Sequence, residues 1–213
     1  MQTRRPWLRR ASVTAVSAAA LVAMAAPADA TTATRASTTA AAAATSAAAD
    51  VDYTTWQKDC QAVMAQALPY LKQRIAATKP GEKQAIVFDI DNTTLETDFG
   101  FSYPQPANKP VLEAARYAQE HGVALFFVTA RPDIIYSVTE YNLKQAGYQV
   151  SGLYVRNFID LFKNVAEYKT AQRVNIEKKG YTIIANIGNS ATDLSGGHAE
   201  KTYKLPDYDG QLS

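Results

Sequence analysis

Three short apolar runs set the terms for how this chain folds: Ala85-Ile86-Val87-Phe88, Val123-Ala124-Leu125-Phe126-Phe127-Val128, and residues 181–187. Such runs, lacking polar alternation, suit strands buried on both faces, the situation of a parallel sheet. Gly152-Leu153-Tyr154-Val155 is a weaker run of the same kind. Segments of helical length lie between them, at about 110–120, 132–145 and 165–178. Gly122, Gly147 and Gly180 each stand before a strand candidate, where a glycine ends a helix. Ahead of the first run, residues 53–77 carry Trp56, Cys60, Val63, Met64, Ala67, Leu68 and Leu71 at helical spacing, and Lys79-Pro80-Gly81 stops that helix. Strands alternating with helices predict an α/β fold, a doubly wound parallel sheet covered on both faces. In such sheets the ligand crevice lies beyond the carboxyl ends of the strands, so the residues following each run are the ones to inspect.

The first 50 residues read differently. Arg4, Arg5, Arg9 and Arg10 precede an uncharged, alanine-rich run over about 11–26, and Ala28-Asp29-Ala30 places small residues at −3 and −1 of a cut before Thr31. That order is the pattern of a secretory signal peptide, and the run is shorter than the ~20 apolar residues of a membrane span. Thr3-Arg4-Arg5-Pro6-Trp7-Leu8-Arg9 also resembles a twin-arginine export signal. Residues 31–50 are almost all Ala, Thr and Ser, which bury no core and predict a disordered linker. The expected organisation is therefore a signal peptide over 1–30, a linker over 31–50, and one domain over 51–213. It implies a secreted protein, extracellular or periplasmic, without a stable membrane anchor.

Cleavage would change the charge balance. Taking four arginines and one aspartate from totals of 22 basic and 20 acidic residues leaves 18 and 19, a net charge near −1. No Lys- and Arg-rich stretch with interleaved aromatics remains to follow a nucleic-acid backbone. The single cysteine, Cys60, forms no intrachain disulfide and reads as a small buried apolar residue. His121 and His198 are the only histidines, too few for a histidine metal cluster.

After the first strand comes Asp89-Ile90-Asp91-Asn92-Thr93-Thr94. Two acids at i and i+2 after a buried strand can hold a hard cation, or divide attack on phosphorus and proton transfer between them. A solvated turn or a helix cap uses the same residues. After the second strand, Thr129-Ala130-Arg131-Pro132 puts a hydroxyl ahead of a predicted helix N-terminus, a phosphate cradle or simply a capped helix. Lys169 lies in a predicted helix, where a lysine is usually solvated. Gly188-Asn189-Ser190-Ala191-Thr192-Asp193 follows the last long strand, another polar loop with an acid.

Taken in order, these clusters resemble the haloacid dehalogenase (HAD) superfamily of phosphohydrolases. Asp89-x-Asp91-x-Thr93 resembles its first motif, Thr129 its second, Lys169 its third and the loop from Gly188 to Asp193 its fourth. The intervals of 40, 40 and 24 residues suit a compact member with a minimal cap. Phe88-Asp89-Ile90-Asp91-Asn92-Thr93, Phe127-Val128-Thr129-Ala130-Arg131, Gly180-Tyr181-Thr182-Ile183 and Tyr203-Lys204-Leu205-Pro206-Asp207 are similar to the exported acid phosphatases, the branch of bacterial class B enzymes and plant vegetative storage proteins.

The resemblance implies an Mg2+-dependent acid phosphatase acting on small phosphomonoesters through an aspartyl-phosphate. Asp89 is then the nucleophile, and Asp91 the general acid and later base. Thr129 and Lys169 hold phosphate oxygens, with Lys169 also keeping Asp89 ionised, and the metal set draws on Asp89, Asp91, Asn189 and Asp193. Phe99, Phe101 and Tyr103 are candidates for an apolar substrate slot or for core, and Arg131 for substrate contact. The family's fourth motif usually begins Gly-Asp, whereas this chain has Gly188-Asn189, which implies weaker metal affinity. Two rival readings follow: a noncatalytic phosphate-binding or storage-type protein, favoured by Asn189, and a receiver-like signalling module. The receiver is disfavoured because its acid pair and phosphoacceptor lie on different strands. Oligomeric state is not legible in the sequence.

Overall fold

The computed structural model describes residues 51–100 and 102–212. The signal and linker expectations for residues 1–50, and the substrate-slot expectation for Phe101, lie outside the described residues. The first helix, α1 (Tyr53–Ala76), is capped by Asp52, whose carboxylate accepts from Thr55 N at 2.7 Å. Trp56, Cys60, Met64, Ala67, Leu71 and Ile75 are its buried stripe, recurring every three or four residues as a helix docked along one face requires. Burying each large side chain contributes about 1.5–3 kcal/mol. No helix among the described residues is long and apolar enough to cross a membrane.

Next come β1 (Lys83–Phe88), α2 (Lys109–Glu120), β2 (Ala124–Pro132), α3 (Tyr136–Gln145), β3 (Gly152–Arg156), α4 (Val165–Lys178), β4 (Tyr181–Gly188), α5 (Ala191–Leu194) and β5 (Thr202–Lys204). The five strands pair in parallel in the order β3-β2-β1-β4-β5, so β1 is central. Alternate β1 residues serve opposite faces. Ile86 and Phe88 join the core of α1 and α2, whereas Ala85 and Val87 meet Tyr168 and Ile176 of α4. Gly122, Gly147 and Gly180 have φ of 76°, 100° and 87°, the left-handed turn that a β-carbon disfavours.

Three features depart from the sequence reading. Pro132 pairs with Arg156 and so belongs to β2, a 3-10 turn spans Asp133–Ile135, and α3 starts only at Tyr136. No helix N-terminus therefore follows Thr129 directly. The short edge strand β5 is additional to the four strand candidates of the sequence. Among the described residues of 89–108 the only pairings are isolated bridges, Asp91 with Leu95 and Leu95 with Ala107, which agrees with a minimal cap.

Candidate active site

Asp89 directly follows β1, and its backbone N–H donates to Ile187 O of β4 at 2.9 Å, so the sheet fixes its position. Thr94 Oγ1 donates to the Asp89 carbonyl at 3.1 Å, folding the loop back beneath it. The Asp89 side chain is 6% exposed. Lys169 reaches it from α4, itself buried, and its Nζ donates to Asp89 Oδ1 at 2.6 Å and to Asp193 Oδ1 at 2.5 Å. Asp193 stands in α5, where its Oδ2 accepts from Ser190 N at 2.8 Å in a capping box. A β-carbon at position 188 would collide with the Asp193 side chain, so glycine is needed there. Three separate stretches thus converge in one buried acid–ammonium–acid bridge.

Burial pushes the Asp89 carboxyl up, to about 7, against the pull of the Lys169 ammonium, and the Asp193 and Asp91 carboxylates add to the rise. Lys169 thus favours the ionised Asp89, as expected, while burial works against it. Burial draws Lys169 down, but the Asp89 and Asp193 carboxylates outweigh it and hold the ammonium above its ordinary value.

Asp91 occupies different ground. Its side chain is 40% exposed and faces Arg131, whose Nη2 donates to Oδ1 at 2.8 Å and whose Nε lies 3.2 and 3.1 Å from Oδ1 and Oδ2. Arg131 also donates to Gln105 Oε1 at 3.1 Å and Thr139 Oγ1 at 3.3 Å. Asp89, Asp91, Arg131, Asn189 and Ser190 line a cavity of ≈ 490 Å³ with Asn92, Thr97, Asp98, Ala130, Val165 and Thr192. A second cavity of ≈ 410 Å³, beside Leu68, Lys72, Leu112 and Tyr117, is remote from this chemistry.

The donor set fits a hard cation in part. Asp89 and Asn189 both line the cavity, and among the described residues no hydrogen bond is made to Asp89 Oδ2. Asn189 Oδ1 accepts only a long 3.3 Å bond from Thr93 Oγ1, and amide and carboxylate oxygens are what Mg2+ prefers. Four carboxylates (Asp89, Asp91, Asp98 and Asp193) stand at the site with two cations, Lys169 and Arg131, an imbalance that a divalent ion would offset. Asp193, also expected in the ligand set, does not line the cavity, and its two oxygens accept from Lys169 and the Ser190 N–H. Among the described residues no cluster of three or more His, Cys, Asp or Glu is placed to hold a metal, and position 189 contributes an amide.

The other expected residues divide. Thr129 is fully buried within β2, its Oγ1 accepting from Arg131 N at 3.2 Å. Phe99 stacks on Trp56 at 4.4 Å and meets Tyr53 at 5.4 Å, so it packs against the core and forms no slot. Tyr103 is 59% exposed, stacks on Tyr141 and donates to Val138 O, and it too lies off the cavity. The sequence reading missed Arg173, one turn beyond Lys169 on α4 and buried. It donates to the carbonyls of Asp193 (2.7 Å), Gly197 (2.8 Å) and Ser195, clamping the fourth loop to the helix that carries the lysine. Its i, i+4 spacing from Lys169 was the available signal.

This sheet order, with an acid pair after the central strand and a buried lysine joining two loops, defines an α/β protein of the haloacid dehalogenase kind. Residues 9–211 match the family described as HAD superfamily, subfamily IIIB (Acid phosphatase), and the chain belongs to that family. The stem 28 kDa glycoprotein of Glycine max is 34% identical over 119 residues, covering 54% of this chain and 47% of that protein. A stem 31 kDa glycoprotein of Glycine max is 27% identical over 174 residues, covering 71% of this chain and 67% of that protein. The chain thus spans about half the length of the first relative. Among solved structures, the class C acid phosphatase from Bacillus anthracis with tungstate bound superposes with a TM-score of 0.58 at 15% identity, covering 74% of this chain and 80% of that one. At that identity the likeness establishes the fold.

Proposed function

We propose that the chain is an exported phosphomonoesterase working through an aspartyl-phosphate on Asp89. The observation that carries this reading is the buried Asp89 carboxylate, fixed by Lys169 Nζ at 2.6 Å beyond the central strand, with a second acid two residues on. An Asp89 oxygen attacks phosphorus, the P–O ester bond breaks, and a protonated Asp91 gives its proton to the departing oxygen. Asp91 then takes a proton from water, which attacks the acyl phosphate to release inorganic phosphate and restore Asp89. Lys169, and Thr129 beside it in the proposal, would hold nonbridging oxygens. Arg131 forks onto Asp91, and a bound phosphate offers the guanidinium an equivalent fork, freeing Asp91 for proton transfer. Mg2+, held by Asp89, Asn189 and the Asp91 carbonyl, would supply charge neutralisation at the phosphate. Asn189 favours a second reading, a phosphate-binding protein without turnover.

Release of p-nitrophenol from p-nitrophenyl phosphate decides between them. Turnover that requires MgCl2, stops with EDTA and vanishes in Asp89→Asn is the expected result. A folded protein without turnover supports the binding reading, and turnover surviving in Asp89→Asn overturns the nucleophile assignment.

A further inference from the structure

The segment after β5 returns beneath the site and is held there by the site's own loops. Leu212 is 4% exposed and belongs to the main core. Its carbonyl accepts from two asparagine amides, Asn92 Nδ2 at 3.2 Å and Asn189 Nδ2. Both asparagines line the cavity, one from the loop after β1 and one from the loop after β4. Further bonds dock the start of the segment and the end of β5: Leu205 N donates to Gly188 O at 2.9 Å, and Lys204 Nζ to Asn189 O at 2.8 Å. Tyr208 Oη donates to Asp59 Oδ2 of α1 at 2.6 Å.

We propose that Asn189 is a positioning residue that tethers residues 205–212 under the site, and that the tether in turn fixes which of its side-chain atoms meets the other loop. A backbone carbonyl only accepts, so the amide nitrogen must face Leu212, which leaves Oδ1 for the Thr93 hydroxyl. An aspartate at 189 lacks a donor and would set a charged oxygen against the Leu212 carbonyl. The amide at the position where the family's fourth motif carries an acid therefore exchanges negative charge for a donor that ties the segment to a cavity-lining loop. By linkage, whatever loosens the segment loosens the placement of Oδ1, and the reverse. The tether stands on the hydrogen bonds alone, while any consequence for cation binding rests on the phosphatase reading above.

Hydrogen exchange of the full chain in EDTA tests it, with the Leu212 amide as reporter because that N–H donates to Asp207 O at 3.1 Å within the same turn. In Asn189→Asp the Leu212 amide should exchange roughly 10- to 100-fold faster, the consequence of a lost donor and two opposed acceptors. Asn189→Ala, which adds no charge, should accelerate it less and serves if the aspartate variant fails to fold. Amides of Phe88 and Ile187 should keep their protection in both, separating the tether from general destabilisation. Leu212 exchange within about twofold of the parent in both variants, or acceleration shared equally by Phe88 and Ile187, overturns the proposal. Adding MgCl2 to Asn189→Asp should slow Leu212 again. No response there contradicts the cation reading and leaves the tether standing.

Discussion

Asp89 and Asp91 stand two residues apart and inhabit two different media. The inner region, Asp89–Lys169–Asp193, is buried, with the lysine side chain 5% exposed between carboxylates at 6% and 2%, and of the three only Asp89 lines the cavity. The outer region, Asp91–Arg131, opens to solvent, with the carboxylate side chain 40% exposed. In the inner region the charged groups are solvated mainly by one another, so fold and chemistry depend on the same contacts. In the outer region water competes for every partner, so a pair can break and re-form at small cost. The division suits a reaction in which one acid must be fixed for attack while the other exchanges protons.

Breaking the inner region should have the largest effect. Lys169→Met strands two buried carboxylates and should lower stability by about 3–5 kcal/mol, measured by urea denaturation, and abolish phosphatase turnover. The outer region should separate the two properties. Asp91→Asn should cut turnover about 10²- to 10⁴-fold while changing stability by about 1 kcal/mol or less. A stability loss as large as that of Lys169→Met would erase the distinction.

The smallest effect belongs to a charged cluster far from the cavity, where Arg74 bridges Glu82 and Glu200. The Arg74 hydrogen bonds, with one from Lys79 N, hold Glu82 down at about 2 against an ordinary value of 4.5. A carboxylate depressed on folding contributes in full above the ordinary value and loses its contribution as pH falls toward the depressed one. The parent should therefore exceed Glu82→Gln slightly in stability near neutral pH, and the two should converge as pH drops from 4.5 toward 2. A gap that widens on acidification would contradict the assignment.

The sheet was legible because burial on both faces leaves unbroken apolar runs, and glycines at left-handed positions mark where helices stop. β5 left no such trace: Thr202, Tyr203 and Lys204 form a short edge strand without a buried pattern. The helix start at 132 was misplaced because a proline suits a helix N-terminus and an extended strand equally, and pairing with Arg156 decided for the strand. The burial of Lys169 is likewise invisible locally, since its own helix says only that a lysine is present. It took the ordered resemblance to bring Asp89 and Lys169 together, and the structure to show that Asp193 serves the lysine. Phe99 went to the core because Trp56 reaches it from a helix far back in the chain, a contact no local window contains. Arg173, by contrast, sat at readable helical spacing from Lys169 and was overlooked.

In the proposed reaction an Asp89 oxygen is the atom that bonds to phosphorus. Mixing the full chain with p-nitrophenyl phosphate, quenching in acid, reducing any acyl phosphate with borohydride and sequencing peptides by mass spectrometry tests it directly. Reduction should appear at Asp89 and disappear in Asp89→Asn, with Asp91 unmodified. Reduction at a different residue, or steady turnover with no trapped acyl phosphate at all, would contradict it.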